Sequence, residues 1–161
     1  MNKRCIYPGS YDPITYGHMD IIERAKGLFE EVILIVSSNV AKTSTFSMEE
    51  RVNLLNELYK DDTKVRAISW DGLTVNAAVS LDAKAIIRGL RIVSDFEYEF
   101  QMNLANNVLN PDIETVFFMT KTENAFISSS MVREVHRLGG DVSAFVQNEV
   151  IAFLNQNKDR R

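Results

Sequence analysis

The sequence predicts an α/β fold in which helices cover both faces of a doubly wound, parallel, five-stranded sheet. Two observations lead to this fold class. Apolar strand-like runs alternate along the chain with helix-like stretches, and the run from Val32 to Val36 is continuously apolar and mostly β-branched. A strand that is apolar at every position is typical of a parallel sheet buried on both faces, and strand–helix alternation is typical of right-handed crossovers.

Five short apolar runs are the strand candidates, and turn residues or a helical pattern bound each of them. In chain order they are residues 4–7, 32–37, 64–68, 85–88 and 115–119. Ligands of open α/β sheets bind at the carboxyl ends of the strands. The loops that follow these five runs are therefore where functional side chains are expected.

Amphipathic helices are predicted between the strands. The first has its apolar positions at helical spacing, namely Ile21, Ile22, Ala25, Leu28 and Phe29. Capping boxes, in which a serine precedes a glutamate by three residues, predict helix starts at Ser47 and Ser94. A helix that begins near Ser130 ends at the glycine pair that starts with Gly139, and a last helix covers roughly residues 147–155.

One segment in the second half of the chain is compatible with two conformations. Residues 96–100 alternate in polarity, as a half-buried strand does. The apolar positions nevertheless continue at four-residue steps, through Phe96, Phe100, Leu104 and Val108. This length exceeds a usual strand and favours a helix. We expect its aromatic stripe, and also Trp70, to be core rather than a platform for a ligand.

Composition indicates a single domain over residues 1–161, with a polar tail after about residue 156 that we expect to be frayed. The net charge of −4 argues against general nucleic-acid binding, which requires a basic surface. A lone cysteine, Cys5, cannot form an intramolecular disulfide and suits a cytoplasmic location. No apolar run has the length of a signal-peptide core or a membrane span, so no membrane contact is expected.

The most informative segment lies where the first strand passes into the first helix. It places Gly9 and Ser10 after the strand, and Gly17 and His18 at the opening of the helix. Residues 127–130 (ISSS) open a second helix in the same way near the other end of the chain. Free backbone N–H groups and the helix dipole make such openings sites for anions. Two of them, far apart in sequence, predict a nucleotide held between them.

The candidate side chains each allow more than one interpretation. His18 is either a histidine without a task or a donor to a phosphoryl oxygen. Ser10 is a turn residue, a phosphate contact or, with His18, a nucleophile, and the absence of a G-x-S-x-G elbow favours the phosphate contact. Lys42 is a surface lysine or a phosphate contact. Arg88 and Arg91 follow a buried strand, and guanidinium groups match phosphate oxygens in pairs.

Several common site motifs do not occur. The sequence contains neither the G-x-x-x-x-G-K-[ST] pattern nor the G-x-G-x-x-G pattern. His18, His136 and Cys5 lack the spacing of zinc ligands, so no metal-ligating residue is predicted. Any metal is expected to be Mg²⁺ carried on phosphate groups.

Together these residues resemble the bacterial phosphopantetheine adenylyltransferases. Three segments carry the resemblance: residues 7–18 (YPGSYDPITYGH, with the T/HxGH signature), residues 87–99 (IRGLRIVSDFEYE) and residues 126–130 (FISSS). The match covers about residues 3–153. It implies a Rossmann-like nucleotidyltransferase fold and the transfer of AMP from ATP to 4′-phosphopantetheine, which gives dephospho-coenzyme A and pyrophosphate. It also implies Mg²⁺, a cytoplasmic location and a homohexamer.

The resemblance also implies a role for individual residues. Catalytic roles are implied for His18, Ser10, Lys42 and Arg91. Phosphopantetheine contacts are implied for Ser10, Lys42, Leu73, Thr74 and Arg88. ATP contacts are implied for Ser10, Tyr11, His18, Gly89, Leu90, Arg91, Glu99, Asn124, Ala125, Phe126, Ile127, Ser128, Ser129 and Ser130.

Two positions depart from the family pattern, and three alternatives stay open. Ser10 stands where threonine is usual, which keeps the hydroxyl and loses a methyl group that restricts the rotamer. Tyr11 stands where phenylalanine is common. The alternatives are a cytidylyl- or adenylyltransferase with another phosphorylated acceptor, a catalytically inactive nucleotide sensor, and a hydrolase that depends on Ser10.

Overall fold

Five parallel strands form one sheet at the centre of the computed structural model, which describes residues 3–37 and 44–158. The strands are β1 Arg4–Gly9, β2 Glu31–Ser37, β3 Val65–Trp70, β4 Ala85–Leu90 and β5 Glu114–Met119. Their order across the sheet is β3-β2-β1-β4-β5, so the direction of winding reverses between β1 and β4. The five predicted strands and the predicted parallel, doubly wound arrangement are confirmed.

The two central strands separate before they end. The first strand is predicted over residues 4–7 and so stops before Pro8, a residue that cannot donate to a ladder. Pairing of β1 with β2 nevertheless continues through Gly9, whereas pairing of β1 with β4 covers only Cys5 and Ile6. A crevice therefore opens between β1 and β4 at the point where the strand order reverses, which is the usual ligand position in such sheets.

Apolar clusters cover both faces of the sheet. Along β2, Val32, Leu34 and Val36 belong to one cluster, and Ile33 and Ile35 belong to the other. This alternation explains why every position of the strand is apolar. Burying one such side chain contributes roughly 1.5–3 kcal/mol, so the central strands anchor the loops that follow them.

The single cysteine is a packing residue. Cys5 on β1 is free and fully buried. Burial, with a smaller contribution from Glu31, raises the pKa of its thiol to about 12. A thiol that stays protonated is a poor nucleophile, so Cys5 has no part in the chemistry considered below.

Six α-helices connect or follow the strands in the described part of the chain. They are α1 Tyr16–Lys26, α2 Met48–Leu58, α3 Thr74–Ser80, α4 Val93–Leu109, α5 Ser129–Arg137 and α6 Asn148–Gln156. The capping box predicted at Ser47 is confirmed, since its hydroxyl and the Glu50 carboxylate each accept from the other residue's backbone N–H. α3 has no counterpart among the predicted elements, because seven residues are too few to show a helical period. None of the described helices is long and apolar enough to cross a membrane.

The start of α4 differs from the prediction. Ile92 is the N-cap, with an extended backbone, and the helix begins one residue later. The capping box predicted at Ser94 and Glu97 is therefore wrong. The carboxylate of Asp95 in the first turn accepts from the backbone N–H of Arg91 at 3.3 Å instead. An acid in the first turn stabilises a helix start without a serine cap.

The apolar stripe of α4 is not core, so that prediction is also wrong. Its side chains are exposed along the whole helix, at Phe96, Phe100, Leu104 and Val108. Among the residues of this helix whose burial is described, the buried one is Glu99, which pairs with Arg88 on β4. Trp70 is partly buried against the second cluster, in agreement with its predicted packing role.

Candidate functional site

A cleft of about 300 Å³ opens where β1 and β4 separate. Its walls come from the β1–α1 turn, the start of α1, the end of β4, the start of α4 and the start of α5. The sequence-predicted site residues that line it are Ser10, His18, Arg88, Gly89, Arg91, Glu99, Ile127, Ser128, Ser129 and Ser130. Segments that are far apart in the chain therefore meet at one edge of the sheet.

Several residues predicted to contact ATP do not form the wall of the cleft. These residues are Tyr11, Leu90, Asn124, Ala125 and Phe126. Tyr11 is buried beside His18, with ring centroids 5.1 Å apart. The backbone of Asn124 packs against Gly17, so the segment that contains it adjoins the start of α1. Tyr11 and Asn124 therefore adjoin residues of the cleft without lining it.

The predicted phosphopantetheine contacts are spread more widely. Arg88 and Ser10 line the cleft. Leu73 and Thr74 lie at the start of α3, after the edge strand β3, and are not among the residues that line it. Lys42 lies outside the described residues.

His18 is held by the residue that caps its own helix. The backbone N–H of Thr15, the N-cap of α1, donates to Nδ1 of His18 at 3.1 Å. An amide N–H can only donate, so Nδ1 carries no proton and the neutral ring has its proton on Nε2. Among residues 3–37 and 44–158, nothing accepts a hydrogen bond from Nε2. The side chain therefore offers one N–H donor to the cleft.

Its surroundings keep His18 neutral. Burial lowers the pKa of the imidazole to about 4, and the positive charges of Arg91 and Arg88 act in the same direction. The ring is therefore uncharged at neutral pH. It can donate to an oxygen on which negative charge develops, and it needs no proton transfer to do so.

Arg88 is oriented by a carboxylate from the neighbouring helix. Its Nε donates to Oε2 of Glu99 at 2.6 Å, its Nη2 donates to Oε1, and its Nη1 donates to the carbonyl of Pro8 at 2.9 Å. Burial lowers the pKa of the guanidinium, but the bonds and charge of Glu99 outweigh burial and raise that pKa overall. Three of its five N–H groups are thus engaged. The remaining two, one on each terminal nitrogen, can bind two oxygens of one phosphate.

Arg91 links two walls of the cleft. Its Nε donates to Asp95 at 3.2 Å, and Nη1 lies 3.5 Å from the carbonyl of Ile127. The first contact belongs to the start of α4 and the second to the segment before α5. Arg91 is more exposed than Arg88, so its charge is available to a ligand that enters from solvent.

Gly89 lets α1 pack closely on β4. A Cβ atom at this position would lie 2.3 Å from Cδ1 of Ile21, a buried residue of α1. A side chain here would force the end of the Ile21 side chain to move, so the present packing of α1 on β4 depends on a glycine at this position. The close approach places the start of α1, with His18, beside the strand that carries Arg88.

The serine run at the start of α5 both caps the helix and fastens it to the β1–α1 turn. Ser128 is the N-cap and accepts from the backbone N–H of Met131 at 3.2 Å. Ser129 donates from its hydroxyl to the carbonyl of Pro13 at 2.7 Å. Ser130 is exposed and lines the cleft. The two helix openings that the sequence singled out, those of α1 and α5, therefore face the same space.

No nucleophilic pair is formed by Ser10 and His18. In the described part of the chain no hydrogen bond joins their side chains, and the Nδ1 atom of His18 is engaged by Thr15. An attacking serine needs a base within hydrogen-bond reach. The geometry therefore favours a phosphate contact for the Ser10 hydroxyl.

Three residues of the cleft have no role in the sequence-based prediction. Thr15 holds His18, Asp95 pairs with Arg91, and Arg133 on α5 donates to the carbonyl of Asp12. Thr15 had a detectable signal, because an N-cap threonine three residues before a polar side chain is capping-box spacing. No local sequence pattern indicates Arg133, because its partner Asp12 lies 121 positions earlier in the chain.

The acidic residues of the cleft do not form a metal cage. Asp95 and Glu99 are both paired with arginines. Within residues 3–37 and 44–158, no three or more histidine, cysteine or acidic side chains are grouped so as to hold a metal ion. This donor set suits a cation that is held by the oxygens of a bound phosphate chain rather than by the protein.

Comparison with known proteins gives concordant results. The cytidylyltransferase-like family model matches residues 6–135. A phosphopantetheine adenylyltransferase of Caldanaerobacter subterraneus subsp. tengcongensis is 52% identical over 149 residues, which are 92% of this chain and 93% of the relative. The protein of the same name from Campylobacter fetus is 50% identical over 151 residues, with 94% and 95% covered.

A solved structure has the same fold at lower sequence identity. It is a Vibrio parahaemolyticus protein assigned as a nicotinate-nucleotide adenylyltransferase. It is 18% identical, with a TM-score of 0.75 over 98% of this chain and 95% of that one. At this identity the likeness shows the fold alone, and it confirms the Rossmann-like architecture.

Proposed function

The chain belongs to the phosphopantetheine adenylyltransferases of the cytidylyltransferase-like family, and from this membership we propose the reaction that its cleft performs. It transfers AMP from ATP to 4′-phosphopantetheine and releases pyrophosphate and dephospho-coenzyme A. The observation that carries the proposal is the pairing, in one cleft, of a neutral His18 donor with the two free N–H groups of Arg88.

The reaction requires two anions to meet in line. An oxygen of the acceptor phosphate attacks the α-phosphorus of ATP. A new P–O bond forms as the bond to the bridging oxygen breaks, and pyrophosphate leaves with the electron pair. The acceptor is already an anion, so no general base is needed. Positioning and charge stabilisation account for catalysis of this type.

The residues of the cleft divide these tasks. Arg88, held by Glu99, binds the acceptor phosphate and reduces its repulsion with ATP. His18 donates from Nε2 to an oxygen of the α-phosphate as charge develops there. Arg91 and the N-terminus of α5 hold the other phosphates of ATP. The hydroxyl of Ser10 lies between the two substrates.

The remaining ligand contacts are proposed from family membership. ATP is also contacted by the segments that contain Gly89 to Arg91 and Asn124 to Ser130. Phosphopantetheine is also contacted by Leu73 or Thr74, and Lys42 binds its phosphate. The ATP phosphates would carry Mg²⁺, which would neutralise part of their charge, because Asp95 and Glu99 in the cleft are already paired with arginines.

A direct assay tests the reaction. The purified protein is mixed with ATP, Mg²⁺ and 4′-phosphopantetheine, and mass spectrometry measures dephospho-coenzyme A together with pyrophosphate release. Both products are expected in equal amounts. ATP binding without either product would support a nucleotide sensor, and labelling of Ser10 by an acyl-trapping probe would support a hydrolase.

The description of the matched family favours one second candidate, a cytidylyltransferase or an adenylyltransferase with another acceptor. A panel that pairs ATP or CTP with several phosphorylated acceptors distinguishes the two. Preference for ATP and 4′-phosphopantetheine is expected. Faster turnover with CTP, or with an acceptor that lacks the pantetheine arm, would reject the main proposal in favour of this candidate.

A homohexamer is proposed from family membership, and the exposed stripe of α4 supports the self-association that it requires. Phe96, Phe100, Leu104 and Val108 repeat at four-residue steps on one helix, and each is at least 46% exposed. A contiguous apolar surface of this kind marks an interaction site. The partner is a second copy of this chain, and six copies close the assembly.

Light scattering tests the assembly. The expected mass is six times that of the 18.3 kDa chain. Phe100→Glu should dissociate the assembly, whereas Leu138→Glu, at the exposed residue that follows α5 and is not part of the stripe, should not. A monomeric wild-type protein would contradict the proposal. A cytoplasmic location is proposed as well, because that compartment supplies ATP.

A further inference from the structure

One buried charge lies outside the cleft and has no task in the mechanism. Arg51 on α2 is 2% exposed and is among the largest fully buried side chains in the described part of the chain. Within residues 3–37 and 44–158, no carboxylate comes within salt-bridge distance of it. Burial lowers the pKa of its guanidinium, an effect that the nearby charge of Asp12 partly opposes.

In the described part of the chain, Arg51 donates to two backbone carbonyls. Nε donates to the carbonyl of Ser47, the N-cap of its own helix, at 3.2 Å. Nη1 donates to the carbonyl of Ser10 at 2.5 Å, across 41 positions of sequence. A buried guanidinium is costly unless its hydrogen bonds are satisfied, so this bond is strongly favoured once the core has formed.

The turn that receives this bond has no regular structure of its own. Tyr11 adopts a φ of +48°, a left-handed conformation that is uncommon for a bulky residue. Three carbonyls of the turn accept from side chains of other elements: Ser10 from Arg51, Asp12 from Arg133 and Pro13 from Ser129. The first of these donors comes from α2, and the other two come from α5.

A second bond set fixes the turn relative to α2. The buried carboxylate of Asp12 accepts from the backbone N–H groups of Thr45 and Phe46, at 2.9 and 3.0 Å. Those residues lead directly into the cap of α2. Asp12 and Arg51 thus both join the β1–α1 turn to the start of α2. The Ser10 side chain, in the same turn, is exposed at the edge of the cleft.

We propose that Arg51 is a positioning residue for the transfer reaction: its bond to the Ser10 carbonyl sets the place of the Ser10 hydroxyl in the cleft. The inference rests on the proposed function. A misplacement of about 1 Å can reduce the rate about 100-fold, so a buried group that fixes one backbone atom has a large effect.

A double-mutant cycle tests the proposal. Arg51→Lys keeps the charge but places all its donors on one atom, which cannot occupy the separate positions of Nε and Nη1 from which the two carbonyls are bound. We expect about a tenfold loss of kcat/KM in the wild-type background. In a Ser10→Ala background the same change should cost less than about twofold, because no hydroxyl remains to be positioned.

Stability and a matched control separate positioning from folding. Arg51→Lys should lower Tm equally in both backgrounds, since its effect on folding does not pass through the Ser10 hydroxyl. Arg66→Lys removes an exposed guanidinium that pairs with Glu31 far from the cleft, and it should leave kcat/KM unchanged. Wild-type turnover is measured first, so a failure of the proposed reaction is recognised separately.

Three results would overturn the proposal. One is an equal loss of kcat/KM in both backgrounds. Another is a folded Arg51→Lys protein with unchanged kcat/KM. The third is failure of both Arg51→Lys and Arg51→Gln to fold in the cold with saturating ATP, which would assign Arg51 a structural role alone.

Discussion

The neutral His18 donor allows a prediction that depends on a single atom. Three substitutions distinguish the contributions of its two ring nitrogens to kcat. His18→Gln keeps an amide N–H near the position of Nε2, His18→Asn places one near Nδ1, and His18→Ala removes both. We expect kcat to fall about 10²–10³-fold for Ala and Asn, the loss typical of one preorganised donor. His18→Gln should retain most of the donor's contribution, so we expect its kcat to fall only about tenfold.

The same geometry fixes how this effect varies with pH. Because the pKa of His18 is lowered to about 4, the ring stays neutral throughout the physiological range. The ratio of wild-type to His18→Gln kcat should therefore be constant between about pH 6 and pH 8. Taking the ratio cancels the titration of the substrate phosphates, which affects both proteins equally.

Stability supplies an independent measure of the lowered pKa. The unfolded chain protonates His18 near its ordinary pKa of about 6.5, whereas the folded protein protonates it only near 4. The unfolded state therefore binds more protons between these values, and stability falls as the pH is lowered through them. The full difference is about 3 kcal/mol. It should be absent in His18→Gln.

Two measurements check these expectations. Pyrophosphate release gives kcat for each variant across the pH range, and urea denaturation near pH 7 and near pH 4.5 gives the free energy of unfolding. The reasoning is refuted if the wild-type to Gln ratio of kcat falls as the pH rises through about 6.5, since that is the behaviour of a charged imidazole. Equal activity of Asn and Gln would also contradict the assignment of the donor to Nε2.

Further predictions concern the support of Arg88 and the packing of α1. Glu99→Gln should raise the KM for phosphopantetheine more than that for ATP and cost about 2 kcal/mol in urea denaturation, while the exposed Glu97→Gln changes neither. Unchanged substrate affinity would mean that Glu99 does not orient Arg88. Gly89→Ala should cost about 1–3 kcal/mol through overpacking, and Ile21→Val, which removes the clashing Cδ1 atom, should restore most of it. Failure of that rescue would locate the cost elsewhere.

The fold was predictable where one local pattern decided the structure. The continuous apolar run from Val32 to Val36 predicts a strand covered on both faces, and the serine–glutamate pair at Ser47, which precedes a clear helical period, predicts a capped helix; both are confirmed. The prediction failed where a local pattern has two outcomes. The predicted first strand ends at residue 7, before Pro8, whereas β1 continues to Gly9 by pairing with β2 alone, after β4 has separated. The stripe that begins at Phe96 has the period of a core helix, but its period does not say which surface covers it.

The site was predictable as a set of positions and not as a set of contacts. The topology alone brings together residues that follow strand ends. The sequence therefore predicts Ser10, His18 and Arg88 at one site, and all three line the cleft. Which groups hold these side chains depends on packing between distant segments. Glu99 is predicted to contact ATP, and the structure adds a contact that the sequence does not indicate, since both of its carboxylate oxygens accept from Arg88. No sequence pattern joins Arg51 to Ser10.

The cleft supplies donors while limiting net charge, and the chemistry requires both. Two polyanions must bind close together, which favours arginine. Pyrophosphate must also leave, and unpaired cations would bind the product as well as the transition state. Pairing Arg88 with Glu99 and Arg91 with Asp95 keeps directional N–H groups while reducing the field that would retain the product. A neutral His18 follows the same logic, since it donates to charge that develops in the transition state without adding attraction for the charge already present.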